Sequence, residues 1–395
     1  MVYLSTDWAE YQQGDYIAVN NVWGKYSLGF VPNYTQSISI DNELDLSSGI
    51  HMDWNWEVDT SNNKVLAYPE ISVGYKPWDD PSHGTSSLST RIQDIKTFSV
   101  SHDLAIGGDT TRFNVSYDLW LTNTPLGDEN TITTELMVWT HKGGPDDFGS
   151  SAIVGTYTQQ GTTFDIVKYD GFTTGGGLTW RYIALVPQTD ILDKTVNLKQ
   201  VFYDLIDRGL ISDKDYVTGY ELGAEVTGGL GSLTINHMSH DLDTYGADSR
   251  ANILIGTRGE DRIYALGGSD TLKGKAGNDF LAGGFQSDTL TGGTGRDTFY
   301  FNDLGKGVDV IVDFQPGRDV IGIEADIFTA FTVGESLADS FKTGRHFGAD
   351  THLLYRNTTG QLFYDADGSG SGTAAHLIAT LENHTKLTYS DFEVL

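Results

Sequence analysis

Residues 256–300 form five consecutive nine-residue repeats, and this periodicity constrains the fold more than any other feature of the chain. The sixth position of every repeat is aspartate, and the eighth is apolar. The spacing predicts a glycine-rich turn of about six residues and then a short strand whose single apolar side chain points inward. Two repeats complete one turn of a right-handed roll, so residues two repeats apart should stack. A flexible linker would not need aspartates and apolar residues at a fixed nine-residue spacing.

The stacking predicts two files of aspartates along the roll. Asp261, Asp279 and Asp297 should lie along one edge, and Asp270 and Asp288 along the other. Because carboxylate and carbonyl oxygens are the ligands that calcium prefers, we expect calcium between successive turns. The predicted metal-binding residues are these five aspartates and the fourth-position glycines Gly259, Gly268, Gly277 and Gly295.

Several positions depart from the glycines of the repeat. Ala265 and Leu266 do so in the second repeat, Lys275 in the third and Gln286 in the fourth. We therefore expect the second and fourth repeats to bind calcium more weakly. A degenerate copy, with Asn252 in place of the aspartate, precedes the five repeats.

The run resembles the RTX calcium-binding repeats, and residues 301–395 resemble the β-rich cap that follows such rolls. The resemblance implies a module that is disordered at low calcium and folds after export by a type I secretion apparatus, which reads an uncleaved C-terminal signal. We therefore expect a secreted, extracellular protein, and the N-terminus lacks the regions of a signal peptide. Asp365 and Asp367 suggest a further calcium site, although a tight polar turn is the simpler interpretation.

Charge and composition exclude several classes of partner. The chain has 54 acidic and 25 basic residues and a net charge of −29, which argues against nucleic acids and anionic membranes as partners. The absence of cysteine excludes disulfides and thiolate metal sites. No apolar run reaches the length of a membrane span. We expect a monomer.

Residues 1–240 contain many short alternating strands separated by polar turns, and one amphipathic helix is predicted over 197–211. The predicted fold class is mainly β: a β-jelly-roll sandwich with one packed helix, then a parallel β-roll with a β-rich cap. The predicted domains are a catalytic domain at 1–240, the roll at 241–300 and the cap with the secretion signal at 301–395.

Two predicted strands carry a carboxylate beside an aromatic side chain. Alternation places Glu135, Met137 and Trp139 on one face of TTELMVWT, and it places Asp118 and Trp120 on one face of FNVSYDLW. Such a face suits a sugar site because tryptophan rings stack on the apolar faces of pyranoses. Each strand alone is also explained by an ordinary solvated surface.

Five motifs together resemble glycoside hydrolase family 12, the compact retaining endo-β-1,4-glucanases and xyloglucanases. They are NNVWG (20–24), WNW followed by VLAYPEI (54–71), SYDLWL (116–121), ELMVW (135–139) and YVTGYELGAEVTGG (216–229). The resemblance implies that a jelly-roll domain hydrolyses β-glucan with two glutamates. It implies no catalytic cofactor, so calcium is expected only in the C-terminal module.

The resemblance also implies roles for individual residues. Glu135 matches the nucleophile, Glu225 matches the general acid/base, and Asp118 matches a carboxylate beside the nucleophile. Glu221 occupies a position that is usually not acidic in the family, and it stays an alternative to Glu225. The predicted substrate-binding residues are Trp23, Met137 and Trp139.

The combined prediction is a secreted retaining endo-β-1,4-glucanase that acts by double displacement. The alternative is a non-catalytic, calcium-dependent carbohydrate-binding or adhesin protein with the same sandwich. A hydrolase or lyase for an acidic matrix polysaccharide is disfavoured because an acidic cleft would repel polyuronates.

Overall fold

The computed structural model describes residues 1–59, 61, 64–74, 76–77, 88–125, 128–143, 152–173, 179–304, 307–346, 350–368 and 375–395. The chain divides into two compact units, Met1–Leu242 and Asp243–Leu395, and each is described by itself. Both units are built from sheets, antiparallel pairs dominating in the first and parallel pairs in the second, which confirms the predicted mainly β fold class.

The strands that begin in the first unit are β1 (Val2–Leu4), β2 (Glu10–Gln13), β3 (Tyr16–Val19), β4 (Tyr34–Ile40), β5 (Ile50–Trp56), β6 (Glu70–Gly74), β7 (Thr90–Arg91), β8 (Ile95–Gly108), β9 (Phe113–Thr122), β10 (Ile132–His141), β11 (Ile153–Gln159), β12 (Thr162–Thr173), β13 (Thr179–Pro187), β14 (Asp193–Asn197), β15 (Tyr216–Val226) and β16 (Gly229–Thr244). In the described residues they form two sheets. One has the order β1-β4-β5-β16-β8-β14, and the larger has the order β11-β12-β13-β10-β9-β15-β6-β3-β2, with β7 paired to β15.

Alternation along the central strands of the larger sheet separates a core face from an opposite face. Leu136 and Leu222 are fully buried in the main apolar core. Their neighbours Glu135 and Glu221 lie on the other face together with Asp118, which is directly opposite Glu221 in the register. This second face is called the carboxylate face below.

The helix of the first unit is shorter than predicted. It spans Leu198–Asp207, whereas the apolar periodicity predicts 197–211. Asn197 caps its start by accepting a hydrogen bond from the Gln200 N–H. Gly209, just past the end, has φ +66°, and glycine in this left-handed conformation ends helices.

The strands of the second unit are β17 (Ile253–Ile255), β18 (Arg262–Tyr264), β19 (Thr271–Ala276), β20 (Phe280–Ala282), β21 (Thr289–Thr294), β22 (Thr298–Phe301), β23 (Asp309–Ile311), β24 (Val320–Ile323), β25 (Phe341–Thr343), β26 (Leu353–Arg356), β27 (Gln361–Tyr364), β28 (His376–Leu381) and β29 (Phe392–Val394). Their described residues form two sheets, ordered β17-β19-β21-β23-β28-β27-β26-β25 and β18-β20-β22-β24-β29.

The parallel strands of the repeats stack with the predicted period of two repeats. The inward-pointing residues form two buried ladders, Leu254–Leu272–Leu290 and Ile263–Leu281–Phe299. Each ladder continues past the repeats, because Leu290 lies opposite Ile311 and Phe299 lies opposite Ile321. The first strands of residues 301–395 therefore extend both sheets of the roll.

Three of the departures from glycine keep the backbone conformation that glycine would adopt. Leu266, Lys275 and Gln286 have φ values of +69°, +85° and +82°. This left-handed region costs a residue with a Cβ roughly 1–2 kcal/mol. The turns therefore retain their shape at these positions and carry backbone strain.

Gly277 is needed for the close approach of two turns. Its φ is +124°, and a Cβ added there would lie 2.4 Å from the carbonyl oxygen of Gly259 in the preceding turn. That distance is far inside van der Waals contact, so only glycine fits without movement of the backbone.

We expect Gly277→Ala to destabilise the C-terminal unit by about 2 kcal/mol or more, because the methyl group meets the backbone of the neighbouring turn. Lys275→Gly, two positions away, should be neutral or stabilising by up to about 1 kcal/mol because it removes strain. Calorimetry of the full chain in calcium measures both effects. Equal destabilisation by the two variants would contradict this account of the turn.

Candidate active site and calcium sites

The predicted catalytic residues lie on three adjacent strands of the carboxylate face. Glu135 on β10 is opposite Trp120 of β9, and Asp118 of β9 is opposite Met137. On the other side of β9, Glu221 of β15 is opposite Asp118. Asp118 is therefore on the strand that separates the predicted nucleophile from the two candidate acid/base residues.

Glu135 is half-buried beside two tryptophans. Its Oε2 accepts a 2.8 Å hydrogen bond from Trp180 Nε1, and the Trp180 ring packs edge-on against Trp120 with 5.6 Å between centroids. Burial raises the pKa of Glu135 to about 8, and the charges of Glu225 and Glu221 act in the same direction. The bond from Trp180 opposes this rise because it favours the ionised form.

Glu225 is half-buried and has a neutral partner. Asn114 lies opposite it in the register, and its Nδ2 donates a 2.5 Å hydrogen bond to Glu225 Oε2. Burial raises the pKa of Glu225, while the bond from Asn114 lowers it. A raised pKa suits a general acid, which has to hold its proton until the leaving oxygen takes it.

Asp118 is a buried acid among other acids. It is 6 % exposed, and its Oδ1 has no hydrogen-bond partner among the described residues. Burial raises the pKa of Asp118 well above the usual range, and the charges of Glu135 and Glu221 raise it further. The site therefore favours a neutral Asp118.

Glu221 differs from Glu225 in its partners. It is 3 % exposed, and its Oε1 lies 3.1 Å from Lys76 Nζ and accepts a 3.3 Å hydrogen bond from Trp120 Nε1. An ion pair with lysine does not suit a group that has to donate a proton. These contacts favour Glu225 over Glu221 for the acid/base role.

The three predicted substrate-binding residues differ in accessibility. Trp23 is 55 % exposed, and its backbone N–H donates a 3.0 Å hydrogen bond to Asn21 Oδ1. Met137 and Trp139 are buried and pack in one cluster with Tyr182, whose hydroxyl donates to Met137 Sδ at 3.1 Å. The Trp23 ring is therefore accessible to a ligand, whereas Met137 and Trp139 are covered by neighbouring side chains. Substrate binding by the three stays a prediction.

A cavity of about 540 Å³ is lined in part by Thr134, Trp180, Arg181 and Asp215, and Glu135 is not among its lining residues. Ligand pockets typically have volumes of roughly 300–1,000 Å³. The cavity is connected to the predicted nucleophile through Trp180, which lines it and donates a hydrogen bond to Glu135.

Two partners of the glutamates are not predicted from the sequence. Asn114 precedes Asp118 by four residues in FNVSYDLW, so alternation alone would have placed it on the carboxylate face. Trp180 gives no local signal, because it reaches Glu135 through the parallel pairing of β13 with β10.

In the C-terminal unit the aspartates form the two predicted files. The N–H groups of Asp261 and Asp279 donate to Oδ1 of Asp279 and Asp297, respectively, at 3.0 Å. In the second file the Asp270 N–H donates to Asp288 Oδ1 at 2.7 Å. The carboxylates of Asp279, Asp288 and Asp297 therefore each accept a hydrogen bond from the backbone of the preceding turn, and the two files are confirmed.

Both files continue beyond the repeats through two aspartates that the nine-residue period does not predict. The Asp288 N–H donates to Asp309 Oδ1 at 3.1 Å, and the Asp297 N–H donates to Asp319 Oδ1 at 3.2 Å. A signal was present, because each of these aspartates is followed two positions later by isoleucine, as in the repeats.

The free carboxylate oxygens of the files fit a divalent cation. Oδ2 of Asp270, Asp288 and Asp297 is buried without a hydrogen-bond partner among the described residues. Burial raises the pKa of Asp288 to about 7 and also raises that of Asp297. Such groups are costly unless they are paired, and their hard oxygens suit calcium.

The calcium ligands would come from the backbone as well as from side chains. No three His, Asp or Glu side chains converge on one point within the described ranges. Carbonyl oxygens of the turns would therefore complete the coordination. This role stays predicted for Gly259, Gly268, Gly277 and Gly295.

The contacts of Asp365 and Asp367 are those of a tight turn. The Asp367 N–H donates to Asp365 Oδ1 at 3.3 Å, and the Gly368 N–H donates to the Asp365 carbonyl at 3.4 Å. Residues 369–370 of the suggested calcium site lie outside the described residues.

Both units match known families. Residues 14–243 match the model of glycosyl hydrolase family 12, and residues 247–281 and 273–303 match the RTX calcium-binding nonapeptide repeat. Endoglucanase S of Pectobacterium parmentieri is 26% identical over 58% of this chain and 81% of its own length. Xyloglucan-specific endo-beta-1,4-glucanase A of Aspergillus niger is 25% identical over 60% of this chain and 89% of its own.

Solved structures show the same fold for the N-terminal unit. The native family 12 xyloglucanase from Bacillus licheniformis is 26% identical with a TM-score of 0.51, and the match covers 61% of this chain and 100% of that one. Within the described part of the chain, no helix has both the length and the apolar character to cross a membrane.

Calcium removal should unfold the C-terminal unit and leave the N-terminal unit folded, because the unpaired Oδ2 atoms would repel one another without the cation. All eight tryptophans precede residue 181, so tryptophan fluorescence reports the first unit, while calorimetry reports both. Each site saturated at 100 times its Kd should contribute roughly 2.7 kcal/mol. The opposite result would be a chelator that lowers the unfolding midpoint seen by fluorescence as much as it lowers the calorimetric transition of the C-terminal unit. That result would contradict the assignment of calcium to the C-terminal unit.

Glu135→Gln should raise the stability of the N-terminal unit at high pH. The pKa of Glu135 in the folded protein, about 8, is above its ordinary value, so its ionisation removes stability as the pH rises through 8. The variant should exceed the wild type by at least about 1 kcal/mol above pH 8, with a smaller difference below pH 4.5. Denaturant unfolding at both pH values measures this, and the exposed Glu129→Gln serves as control. A difference that does not depend on pH would refute it.

Proposed function

The chain belongs to glycosyl hydrolase family 12 through residues 14–243, and on that premise we propose that it is a retaining endo-β-1,4-glucanase that acts outside the cell. Residues 1–240 carry the catalysis in this proposal, residues 241–300 form the calcium-binding roll, and residues 301–395 form the cap with the export signal. The protein acts as a monomer.

The observation that carries the proposal is the group of three acids on one face of the sheet. Glu135, Asp118 and Glu225 lie on three adjacent strands, and the charge of Glu225 raises the pKa of both Glu135 and Asp118. Carboxyl groups whose pKa is perturbed by burial and by a neighbouring carboxylate are typical of sites of acid/base chemistry. A lectin-like adhesin has no need of such a cluster, which disfavours the non-catalytic alternative.

The proposed reaction has two displacements. Glu135 attacks the anomeric carbon while the bond from that carbon to the leaving oxygen breaks, and Glu225 gives its proton to that oxygen. Water then attacks the anomeric carbon of the glycosyl-enzyme, Glu225 takes the proton, and Glu135 leaves as a carboxylate. Asp118 adjusts the ionisation of Glu135.

The proposed substrates are β-1,4-glucans with or without xylosyl branches. The names of the relatives include both an endoglucanase and a xyloglucan-specific endoglucanase. The exposed ring of Trp23 supplies a stacking surface for glucosyl units, and the cavity beside Trp180 supplies polar contacts.

The C-terminal unit serves export and folding. Its carboxylates repel one another at low calcium, so the unit stays unfolded in the cytoplasm, passes a type I secretion channel and folds around calcium outside. Calcium takes no part in the hydrolysis.

Glu135→Gln should abolish hydrolysis of all substrates, because the nucleophile is lost. Glu225→Gln should lose more than about 100-fold on glucans but recover much of the first step on aryl glycosides, whose leaving groups need no proton. Kinetics on both substrate types and NMR of the product anomer test this.

The matched variant is Glu221→Gln, which should retain activity on glucans. If instead Glu221→Gln shows the leaving-group dependence and Glu225→Gln does not, the acid/base assignment is reversed. Inversion of configuration would rule out double displacement altogether.

A further inference from the structure

Three charged side chains that the proposed reaction does not use meet on the carboxylate face. Lys76 Nζ lies 2.6 Å from Glu70 Oε1 of β6 and 3.1 Å from Glu221 Oε1 of β15. Glu70 is 0 % exposed and Glu221 is 3 % exposed. This group of three residues is called the Lys76 clamp. It buries two carboxylates against one cation, which is an expensive arrangement if it serves only stability.

The clamp is connected to Trp23, which is a predicted substrate-binding residue. Asn21 Nδ2 donates a 3.3 Å hydrogen bond to Glu70 Oε1, and Asn21 Oδ1 accepts from the backbone N–H of Trp23. The side chain that orients the Trp23 loop is therefore bonded to the clamp.

The clamp is also connected to the predicted nucleophile. Trp120 Nε1 donates to Glu221 Oε1 at 3.3 Å, and the Trp120 ring packs against Trp180, which donates to Glu135. Glu221 faces Asp118 directly across the β15–β9 pair. The clamp thus reaches the acids of the active site both by contact and by its charge.

The charges of the clamp act on the active-site acids in opposite directions. The negative charge of Glu221 raises the pKa of Asp118 and of Glu135, whereas the positive charge of Lys76 lowers the pKa of Asp118 and of Glu70. The titratable groups near the clamp lie on the neighbouring strands and in the loops that join them. They are Tyr68, Glu70, Asp118, Glu135, Tyr182, Glu221 and Glu225. Among the described residues, Lys76 is the cation whose charge lowers the pKa of both Asp118 and Glu70.

Given the proposed hydrolysis by Glu135, we propose that Lys76 is a positioning residue that neutralises Glu221 and Glu70 and so lets the nucleophile ionise at the working pH of the enzyme. Lys76 touches neither substrate nor reacting atoms in this role. It acts through Glu221, Asp118 and the Trp120–Trp180 pair.

The test is a charge cycle of three variants read by the pH profile of kcat/KM. Lys76→Met leaves an extra negative charge beside the nucleophile. The acidic limb of the profile, which reports the ionisation of Glu135, should therefore shift to higher pH by on the order of one unit. Glu221→Gln leaves an extra positive charge, so the same limb should shift to lower pH. The double variant restores the net charge of the pair, and its limb should return to within a few tenths of a unit of the wild type. Lys76→Arg should keep the wild-type profile.

A purely structural clamp would behave differently, because the two single variants would lower activity at every pH and the double variant would be worst. Shifts of the same sign, or an acidic limb that stays fixed in both single variants, would overturn the proposal. So would loss of glucan hydrolysis at every pH in Glu221→Gln. If Lys76→Met does not fold by circular dichroism, the downward shift in Glu221→Gln and the unchanged profile of Lys76→Arg decide.

The outcomes separate this proposal from the proposed function. A wild-type chain that hydrolyses no β-glucan, or a Glu135→Gln variant with full activity, refutes the glucanase itself. An active wild type whose acidic limb ignores both single substitutions refutes only the role of Lys76.

Discussion

Burying carboxylates away from water is the constraint on which both units of this protein depend. An isolated ionised carboxylate in a protein interior is so costly that it takes up a proton, a cation or several hydrogen bonds. In the N-terminal unit, Asp118 and Glu135 lie among other acids on a sheet face, and the pKa of each is raised. In the C-terminal unit, Asp288 and Asp297 keep an oxygen that no described residue pairs. In the proposed function, the same penalty prepares one unit for proton transfer and the other for calcium.

The two units differ in how regularly they meet this constraint. The roll uses one solution at every turn, a carboxylate that accepts from the backbone one turn earlier, so its aspartates are equivalent except at the ends. The active site uses a different partner for each acid. Trp180 donates to Glu135, Asn114 donates to Glu225, and Lys76 pairs with Glu221. Unequal surroundings allow acids of one kind to take different roles.

The sequence predicts the roll best because its signal is local and repeated. Period, ladders and files all follow from the fixed spacing, and Asp309 and Asp319 could have been found from the isoleucine two positions after each. Strand alternation also predicts which faces carry Glu135 and Asp118. The contacts of Trp180 and Lys76 could not be predicted, because they depend on the pairing of strands distant in sequence and on a side chain that reaches across β6 and β15. The last turn of the predicted helix is absent because Gly209 ends it.

The hydrogen bonds within each file join turns that are two repeats apart, so the two files depend on an even number of repeats. If a pair of repeats were added or removed, all the remaining aspartates would keep a hydrogen-bond donor in the preceding turn. The roll would lengthen or shorten by about 4.8 Å. A single added repeat would be different, because it would move every later strand to the other sheet. The cap would then present β23 and β24 to the wrong ladders. The number of repeats in this module can therefore change only by two at a time, because only then do the cap strands keep their pairing with the roll.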